Sequence, residues 1–119
     1  LEILSDELNA IVPTNDGAMV IAMPFAGDFG RARADARAVP LRAIYRLVQA
    51  PVARVEPLRT AEQVAYLAGS CPFLNGDPLG AEMVLSNAET LVARVPVKTL
   101  AFPKDARAWR AIQSDVGLA

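Results

Sequence analysis

Leu1-Glu2-Ile3-Leu4-Ser5-Asp6-Glu7-Leu8-Asn9-Ala10-Ile11-Val12-Pro13 opens the chain, and the reading of this stretch decides the fold. An apolar run that breaks off into Ser-Asp-Glu reads as a buried strand whose carboxylates emerge at its C-terminal end, where open α/β sheets place their ligands. Leu1 to Leu4 is expected to be one strand and Leu8 to Val12 a second. Pro13-Thr14-Asn15-Asp16-Gly17 supplies turn chemistry before the apolar run Ala18 to Met23, which predicts a hairpin beside the opening strand. Because the first residues read as an interior strand, the sequence is expected to be part of a longer polypeptide.

Working outward, a length of 119 residues with 53% apolar and 21% charged residues fits one folded domain with a core of its own. The formal net charge of -1 argues against an electrostatically driven role on nucleic acid or a membrane surface, since neutralising phosphates needs a basic excess gathered on one face. The basic cluster Arg31, Arg33 and Arg37 is diluted by Asp28 and Asp35 and reads as a solvated loop. No stretch reaches the ~18 to 20 apolar residues of a membrane span, and no basic flank with an apolar core marks a signal peptide. The cytoplasm is the expected compartment.

The chain has one cysteine, Cys71, and no histidine. An internal disulfide framework, zinc sites built from Cys and His, Ser-His-Asp triads and Cys-His dyads are therefore excluded within it. Cys71, after Leu67-Ala68-Gly69-Ser70 and before Pro72, is expected to be a semi-buried structural thiol. The remaining chemistry belongs to carboxylates, arginines, hydroxyls and backbone.

Further along, Pro24 to Ala38 reads as a loop rich in Gly, Ala and Arg. Val39 to Val48 fits a helix by its Leu41, Ile44, Tyr45 and Val48 spacing and a strand by its bulky apolar character, and periodicity leaves the two open. Thr60-Ala61-Glu62-Gln63 is the clearest helix start, with Thr60 as the capping hydroxyl and Gln63 at the reciprocal capping-box position; this helix should end near Gly69 or Ser70. After the turn Asn75-Gly76-Asp77-Pro78, a long amphipathic helix is expected from Leu79, its core stripe formed by Met83, Val84, Ala88, Leu91, Val92 and Val95 and its end set by Pro96. Pro96 to Pro103 reads as an alternating strand bracketed by prolines, which suits a sheet edge. A last helix from Lys104 or Asp105 should turn Trp109 and Ile112 inward, with Trp109 as a packing anchor. The expected architecture is α/β or α+β: a mixed sheet, a β-hairpin and about three helices.

Two places carry candidate chemistry. Asp6 and Glu7 are adjacent, so on a continuous strand they point to opposite faces. If the chain turns after Asp6, one can hold Mg²⁺ while the other acts as a base or orients a partner; otherwise both are solvated acids at a strand end. Gly27-Asp28, in Phe25-Ala26-Gly27-Asp28, permits close backbone approach to a ligand and equally permits a tight turn.

The Leu-Ser-Asp-Glu segment, Met23-Pro24-Phe25-Ala26-Gly27-Asp28, Val39-Pro40-Leu41-Arg42-Ala43-Ile44-Tyr45-Arg46-Leu47, Glu56-Pro57-Leu58 before a Thr-Ala-Glu helix, and Val95-Pro96-Val97 occur in an order that resembles HPr kinase-related proteins, a branch of P-loop kinases akin to phosphoenolpyruvate carboxykinase. The resemblance implies an incomplete version of that fold, with a strand at Ala43 to Leu47 and an extended Val52 to Leu58. It implies that Asp6 is the metal-side or catalytic aspartate, that Glu7 stands where the family has a second Asp, and that Gly27 and Asp28 match the Gly-Glu of the loop facing the substrate. It also implies Mg²⁺ and ATP as cofactors of the parent protein, with a protein or small molecule as phosphoacceptor. Glu7 is one methylene longer than the family's Asp.

The nucleotide loop is missing. A P-loop needs Gly-x-x-x-x-Gly-Lys followed by Ser or Thr, whose amides cradle the phosphates while the lysine neutralises them. The only lysines are Lys98 and Lys104, and neither follows a glycine. By this reading the chain alone binds no nucleotide, and its expected partners are a missing N-terminal segment or a second copy of the chain. The alternative is a non-catalytic α/β domain that binds a protein or small molecule on a related scaffold.

Overall fold

The computed structural model describes residues 9–22, 38–71 and 78–117. The chain divides into two compact units, Leu1–Leu41 and Arg42–Ala119. The architecture is mixed α/β, with two three-stranded sheets and three helices among the described residues.

In the first unit, β1 (Asn9–Pro13) and β2 (Ala18–Ala22) form the expected antiparallel hairpin. Its turn is closed by the Thr14 amide donating to the Gly17 carbonyl at 2.9 Å. A strand not anticipated as a separate element, β3 (Ala38–Pro40), pairs antiparallel with β2 and gives the order β1-β2-β3. Pro40 lacks an amide hydrogen, and the edge position of β3 tolerates this. The opening strand Leu1 to Leu4, residues 24–37 of the expected loop, and residues 75–77 of the expected turn lie outside the described residues.

The second unit holds a mixed sheet, β4 (Ile44–Gln49), β5 (Arg54–Pro57) and β6 (Val97–Phe102), in the order β4-β6-β5. β4 runs parallel to β6 and β5 antiparallel to it. The segment left open as helix or strand thus becomes part of β3, a short connection and β4. Helices α1 (Thr60–Gly69) and α2 (Pro78–Arg94) form the crossover between β5 and β6 and pack on each other. The helix α3 (Arg107–Asp115) follows β6.

The core is centred on β6: Val97, Thr99, Leu100 and Ala101 are 5% exposed or less, joined by Ala88, Leu91, Val92 and Val95 from the C-terminal half of α2 and its exit. The expected edge position of this strand is therefore corrected to a central one. Pro96 and Pro103 bracket the ladder without entering it, so all six residues of β6 keep their amide hydrogens, and a strand that donates throughout can be paired on both sides.

Further expectations are corrected. Residue Arg59, not Thr60, is the N-cap of α1, with no side-chain cap. The Gln63 side chain turns inward: its Nε2 donates to the Leu58 carbonyl at 2.9 Å and its Oε1 accepts from the Val97 amide at 2.8 Å. It thereby satisfies the first amide of β6 rather than closing a capping box. Met83 is 66% exposed, so the apolar stripe of α2 reaches the core only from its middle onward. Trp109 is 37% exposed and so is not the inward packing anchor expected of it, and Cys71, expected to be semi-buried, is exposed.

Candidate functional site

The acidic pair Asp6 and Glu7, and the loop residues Gly27 and Asp28, lie outside the described residues. Their mutual geometry is not part of what the fold displays; the hairpin that begins at Asn9 is. Among the described residues, no group of three or more His, Cys, Asp or Glu side chains is placed to hold a metal ion. No helix among them is long and apolar enough to cross a membrane.

The described residues assemble a different polar constellation. Parallel pairing sets Tyr45 of β4 beside Lys98 of β6, and residues opposite each other in a ladder share a face of the sheet. Across that face the last residue of α3, Asp115, accepts a hydrogen bond from the Tyr45 hydroxyl at 2.5 Å and one from the Lys98 ammonium at 2.8 Å. The Asp115 side chain is 15% exposed and that of Lys98 36%. Local sequence explains the placement of the carboxylate. Asp105 accepts the Arg107 amide at 2.9 Å and starts α3, while Gly117, at a φ of 76°, takes the left-handed conformation that ends it.

The electrostatics are those of a fastening. An acid at a helix C-terminus is disfavoured by the macrodipole. Burial pushes the Asp115 carboxyl up, but the hydrogen bonds from Lys98 and Tyr45, with the Lys98 charge, outweigh it and hold the carboxyl below its ordinary 3.8. Tyr45 is driven well above its ordinary 10.0, first by burial, then by its bond to Asp115 and by that carboxylate's charge. The phenol therefore stays protonated as a donor throughout the physiological range. Tyr45 and Lys98 sit near the amino ends of two parallel strands, whereas α/β sheets gather ligands at the carboxyl ends. The triad joins three elements at the end of the sheet opposite to where chemistry is usual.

On the other face, ladder pairing aligns Arg46, Thr99 and Glu56 in one row across β4, β6 and β5. Glu56 accepts from Arg54 at 2.5 Å. The nearby α1 residue Glu62 has its carboxyl lowered first by a hydrogen bond from Arg59 and to a lesser extent by the charge of Arg46. Arg46 Nε and Thr99 Oγ1 are buried without a hydrogen-bond partner among the described residues.

Sequence reasoning did not single out Tyr45 or Asp115, and it noted Lys98 only as a lysine that no P-loop owns. The available signal was Lys98 itself, a charge between the inward residues Val97 and Thr99. Comparison of the chain with known protein families, curated proteins and solved structures finds no match.

Proposed function

We propose that this chain is the C-terminal part of an HPr kinase-related, ATP-dependent phosphotransferase, and that it does not bind nucleotide by itself. The observation that carries this reading is the outer edge of β4. Among the described strands only β6 pairs with β4, and it does so in parallel. Leu47 and Val48, which alternate onto opposite faces, are 63% and 42% exposed. A parallel strand with apolar residues uncovered on both faces suits a strand that is covered in a wider α/β sheet, and a nucleotide-binding half would provide the neighbour of β4. The strands at Ile44–Gln49 and Arg54–Pro57 also fall where the resemblance calls for them.

In this reading Asp6 holds Mg²⁺, Glu7 accepts the acceptor's proton or orients it, and Gly27 and Asp28 face the substrate. Catalysis is positioning and charge neutralisation around the transferred phosphoryl group. The phosphoacceptor is a protein or a small molecule, and the compartment is the ATP-rich cytoplasm. The test is the intact mass of the natively produced protein against the 12.7 kDa of this chain, followed by titration with ATP and Mg²⁺. A heavier species that binds nucleotide and loses turnover by about a hundredfold or more in Asp6→Asn is the expected result. A native species of this size that ignores nucleotide overturns it, and leaves a non-catalytic α/β domain whose open β4 edge serves a binding partner.

A further inference from the structure

Helix α3 differs from the other two helices in how it is held. None of its residues is buried, whereas α1 contributes Gln63 and Ala68 and α2 contributes Ala88, Leu91 and Val92 to the interior. It spans nine residues, well below the ~12 to 15 at which an isolated helix becomes even marginal in water. Its existence as a helix therefore depends on docking. The docking contacts run to β5 and β6, and the specific polar ones are those of Asp115 to Tyr45 and Lys98. Lys98 shares its face of β6 with Leu100 and Phe102, the alternate residues of the same strand, so α3 lies over that apolar face.

We propose that α3 is a detachable strap, fastened at its last residue by the bonds of Asp115 to Tyr45 and Lys98. It unlatches and melts as a unit, uncovering the Leu100 and Phe102 face of the sheet, while α1, α2 and the β4-β6-β5 ladder stay folded. The elements differ in what opposes their opening: the α1–α2 crossover is tied to β6 by Gln63 and by buried aliphatic side chains, α3 by half-buried ones and a single carboxylate. Local opening of this kind has its own free energy, below that of global unfolding.

Hydrogen exchange of the full chain, resolved by peptide, tests the strap, and Trp109, the only tryptophan, reports α3 independently by fluorescence. Amides of α3 are expected to exchange at least about tenfold faster than those of α2 and β6, and Asp115→Asn is expected to accelerate α3 about a further tenfold with α2 and β6 little changed. Trp109 fluorescence should change at lower denaturant than the helical signal of the whole chain. Tyr45→Phe, which keeps the ring and removes one bond, should show the same selective acceleration to a smaller degree. Uniform protection across α2, β6 and α3, coincident transitions by both probes, or equal acceleration of all three elements in either variant overturns the proposal.

Discussion

Strands β4 and β6 are parallel neighbours of equal length with similar composition, Ile-Tyr-Arg-Leu-Val-Gln against Val-Lys-Thr-Leu-Ala-Phe, yet their environments are opposites. Leu100 is 2% exposed and Leu47, its partner in the ladder, 63%. What separates them is position in the strand order: β6 is paired on both sides, β4 on one among the described residues. Apolar content makes a segment a strand, but the neighbours it meets decide whether its side chains lie in a core. The lesson bears on function, because the open side of β4 is where the proposed larger sheet continues.

The sharpest way to break the comparison is to truncate the two partnered leucines. Leu100→Ala is expected to cost about 2–5 kcal/mol by removing buried methyl groups and leaving a cavity, whereas Leu47→Ala should stay within about 0.5 kcal/mol in this chain. Equal losses in urea melts would mean that Leu47 is covered in solution, and with it the outer side of β4. The next largest effect belongs to Gln63. Gln63→Leu keeps the bulk of the side chain but leaves the Val97 amide and Leu58 carbonyl without their partner, at about 1–3 kcal/mol. A neutral outcome would show that β6 is held centrally by packing alone.

Much of this was legible in the sequence, for identifiable reasons. The hairpin followed from Thr14-Asn15-Asp16-Gly17 between two apolar runs, α1 from the Thr60-to-Gln63 start signal although no capping box forms there, and α2 from an apolar stripe ended by Pro96; such signals are local. The central position of β6 was not legible, because its bracketing prolines say where the ladder stops but not how many partners it has. Nor was the inward turn of Gln63, whose second partner, Val97, lies 34 residues away. The triad is the extreme case. Tyr45 and Asp115 are 70 residues apart, and only the parallel register of β4 on β6 brings a lysine beside the tyrosine. Of the expected site, Asp6 and Glu7 were legible as a pair of acids after an apolar run, a pattern that names candidate ligands without arranging them.

The smallest effect, and the one that ties both strands to α3, is the pH dependence of the triad. Asp115 has a folded value below 3.8, so its contribution is full above the unfolded value and disappears as pH falls through the folded one. Tyr45 has a folded value above 10.0, so its contribution is full below about pH 10 and disappears as pH rises further. Each amounts to on the order of 1 kcal/mol, since Lys98 and Asp115 retain contact with water. The stability difference between the wild type and Asp115→Asn should be flat near neutrality and collapse below about pH 4. That between the wild type and Tyr45→Phe should shrink in acid too, because the Tyr45 bond helps hold the Asp115 charge, and should collapse again above about pH 10. Denaturant midpoints measured across pH for the three proteins check both limbs. A difference that persists unchanged into acid would mean that Asp115 is not ionised against Lys98, and that β4, β6 and α3 are joined by packing rather than by the carboxylate they share.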